Sequence, residues 1–475
     1  MNTQKTKIVA TIGPATASKE MLRKIIKAGV NVCRINFSHG SHKEHEQVIN
    51  YIREINKEEG LFTAILGDLQ GPKIRVGEIE NNEVEVVNGQ EIIISSTPCI
   101  GTKDKIYISY QNFPQDVAPG ETILLDDGKL NFEIKTSNNK DEVVAIVRHG
   151  GILSSNKGVN LPNTKISLPC LTPKDLNDLE FALNMNLSWV GLSFVRNSQD
   201  ILELKEIIEK AKSTTKVIAK IEKPEAIKDI DNIIKSADAL MVARGDLGVE
   251  IPFQEVPRLQ KMIVKKSMKA AKPVIIATQM MESMINNLTP SRAEVNDVAN
   301  AVLDGADAVM LSGETSIGNF PVQVVEAMSE IIKDVEKENE LYHYEYAPDE
   351  DNHDRFITDS ICFNACRLAQ RVNASAIVTM TFSGYTGFKI ASFRPKAGIF
   401  VCTGNKDILN MLSLVWGVDV FYYDKFVSTD DTISDIKQVL LEKNRVGKKD
   451  LVINLASMPI SEKGQTNMMK LSYVE

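Results

Sequence analysis

Cysteine is scarce and scattered: Cys33, Cys99, Cys170, Cys362, Cys366 and Cys402 include no C-x-x-C pair. Even Cys362 and Cys366, spaced to share a helix face, read better as packed thiols than as a redox or metal pair, and a reducing cytoplasm fits. No run approaches the roughly 18 apolar residues of a membrane span. The opening "MNTQKTKIVATIGPA" lacks the apolar core and cleavage site of a signal peptide. Positive charge is not in excess either. A net charge of -8 argues against bulk nucleic-acid binding, which needs a basic face to displace counterions. One local cluster of Lys and Arg can still hold a nucleotide. Neither G-x(4)-G-K-[ST] nor G-x-G-x-x-G occurs, so any nucleotide is held without those loops. Internal repeats and low-complexity tracts are absent too.

What remains is an ordinary globular composition, 43% hydrophobic and 25% charged, long enough for roughly three domains. Short β-branched runs alternate with helical stretches. Eight strand signals stand out: "KIVATIG" (7–13), "VCRINFS" (32–38), "FTAILGD" (62–68), "WVGLSFV" (189–195), "KVIAKIE" (216–222), "ALMVARG" (239–245), "PVIIATQ" (273–279) and "AVMLSGE" (308–314). Between them lie helices such as "SHKEHEQVINYIREINKEEG", with Ser41 and Glu44 as a capping box. Eight such units predict an α/β fold, a (β/α)8 barrel, over 1–70 plus 171–341. The spacing breaks once. Residues 71–170 carry alternating Val/Ile/Thr/Gly runs such as "NEVEVVNGQEIIIS", and read as a small β-barrel-like, all-β lid domain inserted on the catalytic face. The acidic stretch "EKENELYHYEYAPDEDNHDRF" marks a boundary, and 342–475 alternates again as a C-terminal open-sheet α/β regulatory domain.

Barrel strands end where function sits. Alternation puts Arg34, Asn36 and Ser38 on one face of the second strand, and inward polar groups are costly unless something polar binds there. Lys220 and Glu222 likewise share a face at the end of the fifth strand, a cation beside a metal-ligating carboxylate. In "ARGDLG" the backbone can hold an anion, and Asp246 adds a second hard oxygen. Glu222 with Asp246 suits Mg²⁺ or Mn²⁺, which take few carboxylates and complete the shell with substrate and water. Thr278 ends the seventh strand. A metal, Arg34, Lys220 and an anion nest fit a highly anionic substrate and phosphoryl transfer. His39, His42 and His45 suggest zinc, but no third helical ligand joins them; His39, in the loop, is better placed to touch a ligand.

"CRINFSHG", "KIEKPEA", "MVARGDLGVEI", "ATQMMESM", "PSRAEVNDVANAVLDGADAVMLSGETSIGNFP" and "KGVNLP" resemble the motifs of the pyruvate kinase family, in order and over essentially the whole chain. The resemblance implies transfer of a phosphoryl group from phosphoenolpyruvate to ADP, giving pyruvate and ATP. It implies Mg²⁺ on Glu222 and Asp246, with Arg34 and Lys220 facing the moving phosphoryl. Lys220 would also offset the enolate. The backbone of Ala243, Arg244, Gly245 and Asp246 would hold the substrate carboxylate, and Thr278 would stand on the protonated face. Asn36, His39, Arg75 and Lys157 would approach the nucleotide phosphates, with Asp127 of the lid closing over them. The stretch around Arg292 matches one that packs between subunits, implying a homotetramer. "TMTFSGYTG", with Thr381, Ser383, Gly384 and Thr386, resembles an effector-phosphate loop, and "ASMPISEKGQTN" the loop that faces it. The extra C-terminal domain of some bacterial relatives is not expected here, nor is an N-terminal extension, and a bacterial source is the expectation.

In many relatives Asp68, Asn36, Ser38 and the carbonyl at position 69 bind K⁺, supported by an acidic residue at position 73. Here Leu69 replaces a Thr, Gln70 a Lys and Lys73 the acidic residue. An ammonium about 5 Å from K⁺ would repel it by about 3 kcal/mol at an effective dielectric of about 20. That is about a hundredfold in affinity. The expectation is that K⁺ is not required and that the Lys73 ammonium stands in for it. Two rivals remain: a divalent-metal pyruvate aldolase or lyase, which does not use Lys220, Arg34 and a lid together, and a non-catalytic regulatory relative.

Overall fold

The computed structural model describes residues 4–344, 346–348, 354–425, 428–458 and 466–475. Eight parallel strands form a closed barrel: β1 (Lys7–Ile12), β2 (Val30–Asn36), β3 (Ala64–Asp68), β4 (Trp189–Leu192), β5 (Lys216–Ile221), β6 (Ala239–Ala243), β7 (Val274–Ala277) and β8 (Ala308–Leu311). Each pairs with its neighbour in sequence, and β8 returns to β1 with Ala308 beside Lys7. All eight strand signals fall on barrel strands. The strands stop earlier than the signals do, because the residues after each apolar run leave the ladder. Phe194 (φ +56), Thr278 (φ +68) and Gln279 (φ +56) lie in left-handed backbone, which a strand cannot hold. Ser38 is corrected for the same reason. β2 ends at Asn36 and the chain turns, so Ser38 does not continue the Arg34–Asn36 face; its N–H donates to Asn36 Oδ1 at 3.1 Å. The Ser41–Glu44 capping box forms at the head of helix His42–Glu59.

Outward-facing strand residues such as Ile35, Val190, Ile221 and Ile276 pack with the helices into one core. Inward-facing Val9, Leu66, Trp189, Ile218, Met241 and Met310 belong to a second core, which continues through the floor of the barrel into Met411, Leu412, Leu414 and Trp416. These last residues belong to the C-terminal domain, whose strands are β9 (Ala376–Met380), β10 (Gly398–Thr403), β11 (Val418–Tyr422), β12 (Leu451–Ala456) and β13 (Met468–Tyr473), in the order β11-β10-β9-β12-β13. Only β13 runs antiparallel. The floor is stitched by polar contacts as well. Trp189 Nε1 donates to Met411 O at 3.2 Å, and Lys7 Nζ to Val418 O at 2.8 Å. Buried Asp307 takes the Arg394 guanidinium at 3.0 Å. Removing one partner of such a pair leaves an uncompensated charge, which favours a single seating of the domain. With the bottom plugged, ligands meet the barrel at its C-terminal mouth.

Between β3 and β4 the chain builds a six-stranded sheet and a two-stranded one, around a separate apolar core running from Ile74 to Leu161. This is the inserted all-β unit. Parts of the acidic 336–356 stretch and of the 456–467 loop (345, 349–353 and 459–465) lie outside the described residues.

Candidate active site

Three strand ends bring opposite charges together out of water. Asp68 closes β3 and is 1% exposed. Arg34 from β2 donates through Nε to Asp68 Oδ2 at 2.7 Å, with Nη2 2.5 Å from the same oxygen, and through Nη1 to Thr11 Oγ1 at 2.9 Å. Lys220 from β5 places Nζ 3.3 Å from Asp68 Oδ1, 2.9 Å from Glu222 Oε1 and 2.7 Å from Ser193 Oγ. Burial alone would raise the Asp68 carboxyl and lower the lysine. Mutual attraction overrides it: Lys220 and Arg34 hold Asp68 below the ordinary carboxylate range. Asp68 and then Glu222 hold Lys220 above the ordinary lysine range. The Arg34 guanidinium and the Lys220 ammonium thus share one buried carboxylate at the mouth of the barrel.

Glu222 is equally buried, and its Oε2 accepts from the Phe194 N–H at 2.8 Å. Burial, together with the charge of Asp246, pushes its carboxyl upward against the pull of Lys220. Asp246 sits in the first turn of helix Arg244–Glu250. Two hard carboxylates that repel each other at a buried site suit a divalent cation of the Mg²⁺ type. No group of three or more His, Cys, Asp or Glu side chains placed to hold a metal occurs among the described residues. Two of the histidines are held by packing: His42 bonds Asp178 at 2.7 Å and stacks on Phe181, while His45 packs edge-on against Phe37.

Helix Arg244–Glu250 starts where β6 ends, so the expected anion nest is its N-terminus. In this structure Thr278 Oγ1 occupies the nest: it accepts from Gly245 N–H at 2.7 Å and donates to Ala277 O at 2.6 Å. The Arg244 side chain turns away to Asp297, with both contacts at 2.7 Å, and to Thr278 O at 2.7 Å. It locks the Thr278 peptide, and only the backbone of Arg244 is left for a ligand. A β-branched residue at φ +68 costs on the order of 1–3 kcal/mol, a strain that clusters at functional sites.

Asn36 and His39 join Arg34 in a cavity of about 830 Å³ that also touches Pro14, Gly40 and Gly313. A second cleft lies between lid and barrel, where Lys73, Asp127 and Asn160 face Phe194, Lys223 and Asp246. Arg75 and Lys157 are held within the lid, by Asn156 O at 3.0 Å and Asp126 at 3.0 Å. Lys73 requires a correction. Gly71 (φ +69) turns the chain into the lid, packed so closely on Phe194 that a Cβ would lie 2.7 Å from its ring. Lys73 is consequently exposed in the lid cleft, and the cations on Asp68 are Arg34 and Lys220. Of the other acceptors in the expected cation set, Asn36 Oδ1 takes the Ser38 N–H and Leu69 O takes the Ser193 hydroxyl at 2.7 Å.

In the C-terminal loop Thr381 Oγ1 accepts from Gly384 N–H at 3.1 Å, and Ser383 Oγ from Tyr385 N–H at 3.4 Å. Thr386 is buried against Thr379, whose hydroxyl donates to it at 2.8 Å, so it serves the sheet. Arg292 is exposed at the start of helix Arg292–Leu303.

Sequence reasoning missed Ser193, Thr11 and a lid contact. Asn160 of the lid donates to Glu250 Oε1 at 2.7 Å, and buried Lys223 reaches the same oxygen at 2.6 Å. The one available signal was a serine closing the apolar "WVGL" run; nothing local marks Glu250 or Asn160 as partners.

Comparisons with known proteins point to one family. The family model "Pyruvate kinase, barrel domain" matches residues 3–325, and "Pyruvate kinase, alpha/beta domain" matches residues 359–472. The chain is 42% identical to pyruvate kinase of Geobacillus stearothermophilus over 99% of its length and 80% of that protein. It is 40% identical to the enzyme of Clostridium acetobutylicum, covering 99% of this chain and 100% of that one. A solved pyruvate kinase from Cryptosporidium parvum superposes with a TM-score of 0.92 at 34% identity, covering 100% of this chain and 97% of that one.

The Asn160–Glu250 contact generates a prediction. Asn160→Ala unfastens one tie between lid and barrel, so limited proteolysis should cut faster in the hinge segments near residues 70 and 168. An unchanged cleavage rate would mean the contact does not restrain the lid.

Proposed function

The chain belongs to the pyruvate kinase family, and from that premise we propose how its own residues move the phosphoryl group of phosphoenolpyruvate to ADP. One observation carries the reading: Arg34 and Lys220 are held charged on buried Asp68, beside the Glu222–Asp246 pair. Phosphoryl transfer asks mainly for positioning and charge stabilisation, and this arrangement supplies both. Glu222 and Asp246 would hold Mg²⁺ (or Mn²⁺), which would neutralise phosphate charge when bound. Arg34 and Lys220 meet the transferring phosphoryl, and Lys220 also steadies the enolate left behind. The substrate carboxylate lies on the backbone amides of Ala243 to Asp246, whose Gly245 N–H already engages the Thr278 hydroxyl. That link ties carboxylate binding to the group that delivers the proton, directly or through water. Tautomerisation of enolpyruvate to pyruvate drives the transfer toward ATP.

Asn36 and His39, in the large cavity beside Arg34, take the nucleotide, with Arg75, Lys157 and Asp127 reaching it from the lid. The exposed Val295 and Leu303, on the helix that Arg292 begins, support a homotetramer contact. Thr381, Ser383 and Gly384 are the residues for a phosphorylated effector. A cytoplasmic setting fits a chain in which no described helix is long and apolar enough to cross a membrane. The aldolase and non-catalytic readings draw no support from the family models or the relatives.

With phosphoenolpyruvate, ADP and Mg²⁺ the protein should form pyruvate, and Lys220→Met should lower kcat by about a hundredfold or more, the scale of removing a charge stabiliser. Turnover unharmed by that change overturns the assignment of Lys220.

K⁺ is not required, because Arg34 and Lys220 already set two positive charges against the buried Asp68 carboxylate. Activity in tetramethylammonium buffer should rise less than about twofold on adding K⁺. A many-fold rise in the unaltered protein contradicts this.

A further inference from the structure

Lys220 is aimed by three partners, and two of them have other work. Asp68 also holds Arg34, and Glu222 is the metal-ligand candidate. The third is Ser193, 2% exposed, just past the end of β4. Its hydroxyl has only one orientation open to it. A lysine ammonium can only donate and a carbonyl can only accept. Lys220 Nζ is 2.7 Å from Ser193 Oγ, and Ser193 Oγ is 2.7 Å from Leu69 O. The serine proton therefore points to Leu69, and its lone pair is left for the lysine.

The same segment carries both legs of the lid. Leu69, whose N–H bonds Gly191 O at 3.1 Å, leads into Gly71 packed on Phe194. On the returning leg Cys170 Sγ reaches Ser193 O at 3.4 Å, and Arg196 donates to Ile166 O at 3.2 Å and Leu168 O at 2.9 Å. The next residue after Ser193 donates its N–H to Glu222.

We propose that Ser193 is the positioning residue of Lys220: its hydroxyl, oriented by the Leu69 carbonyl at the lid hinge, fixes the ammonium where the phosphoryl passes. This rests on the role assigned to Lys220 above. Ser193 itself touches no reacting atom. Losing one hydrogen bond to a charged group in the transition state alone lowers kcat by about ten- to a hundredfold and leaves KM nearly unchanged.

The test compares Ser193→Ala, Ser193→Thr, Lys220→Met and the Ser193→Ala/Lys220→Met double variant, each with steady-state kinetics and a thermal melt. Ser193→Ala should lose at least about tenfold in kcat, with KM for both substrates within about threefold. Ser193→Thr, which keeps the hydroxyl, should recover most of that loss. In the Lys220→Met background the alanine should cost nothing further, because the two residues act as one unit. The inference is overturned if Ser193→Ala keeps kcat within about threefold, if Thr and Ala lose equally, or if the two losses add. If Ser193→Ala does not fold, Ser193→Cys, a weaker acceptor of similar size, is judged by the alanine criterion. Full activity in Lys220→Met would instead sink the underlying reading, which keeps the two failures distinct.

Discussion

The arrangement depends on one carboxylate. Asp68 is buried between a guanidinium from β2 and an ammonium from β5, two groups that would repel each other across the barrel mouth without it. At about 4 Å and an effective dielectric of about 20, each attraction is worth about 4 kcal/mol. Two attractions then outweigh one cation–cation repulsion at similar distance. The result is a pair of cations that keep their charge without water, which is the condition under which fixed charges stabilise a transition state most. Evolution has used the strand-end geometry of the barrel to supply these groups from three strands that are distant in sequence.

The rest of the fold protects that arrangement from both sides. Below, the inner core of the barrel runs unbroken into the C-terminal domain, with Trp189, Lys7 and Asp307 pinned to it by hydrogen bonds or an ion pair. Above, both legs of the lid are fastened to the Ser193–Arg196 segment, which also touches Lys220 and Glu222. Lid position and lysine position thus share one short piece of backbone, strained at Phe194 (φ +56).

Much of this was legible in the sequence, because apolar runs with polar endings carry their meaning locally. The eight strands, the inserted all-β segment, and the pairing of Lys220 with Glu222 on one face all follow from period and composition. What failed did so where the backbone leaves regular alternation. Ser38 was placed by extending a strand that stops at Asn36. The expectation for Lys73 rests on its place in the family's K⁺ pattern, but Gly71 carries it into the lid, and Lys220, about 150 residues further on, is the lysine on Asp68. Ser193 and the Asn160–Glu250 tie are partnerships between separate elements, and no local pattern encodes those.

The central claim is that the Asp68 charge holds Arg34 and Lys220 in working position. Asp68→Asn keeps the size and removes the charge, so kcat for pyruvate formation from phosphoenolpyruvate and ADP at saturating Mg²⁺ is the direct readout. The account predicts a fall of about a hundredfold or more, on the scale of losing a preorganised charge. A kcat within about threefold of the unaltered protein would contradict it.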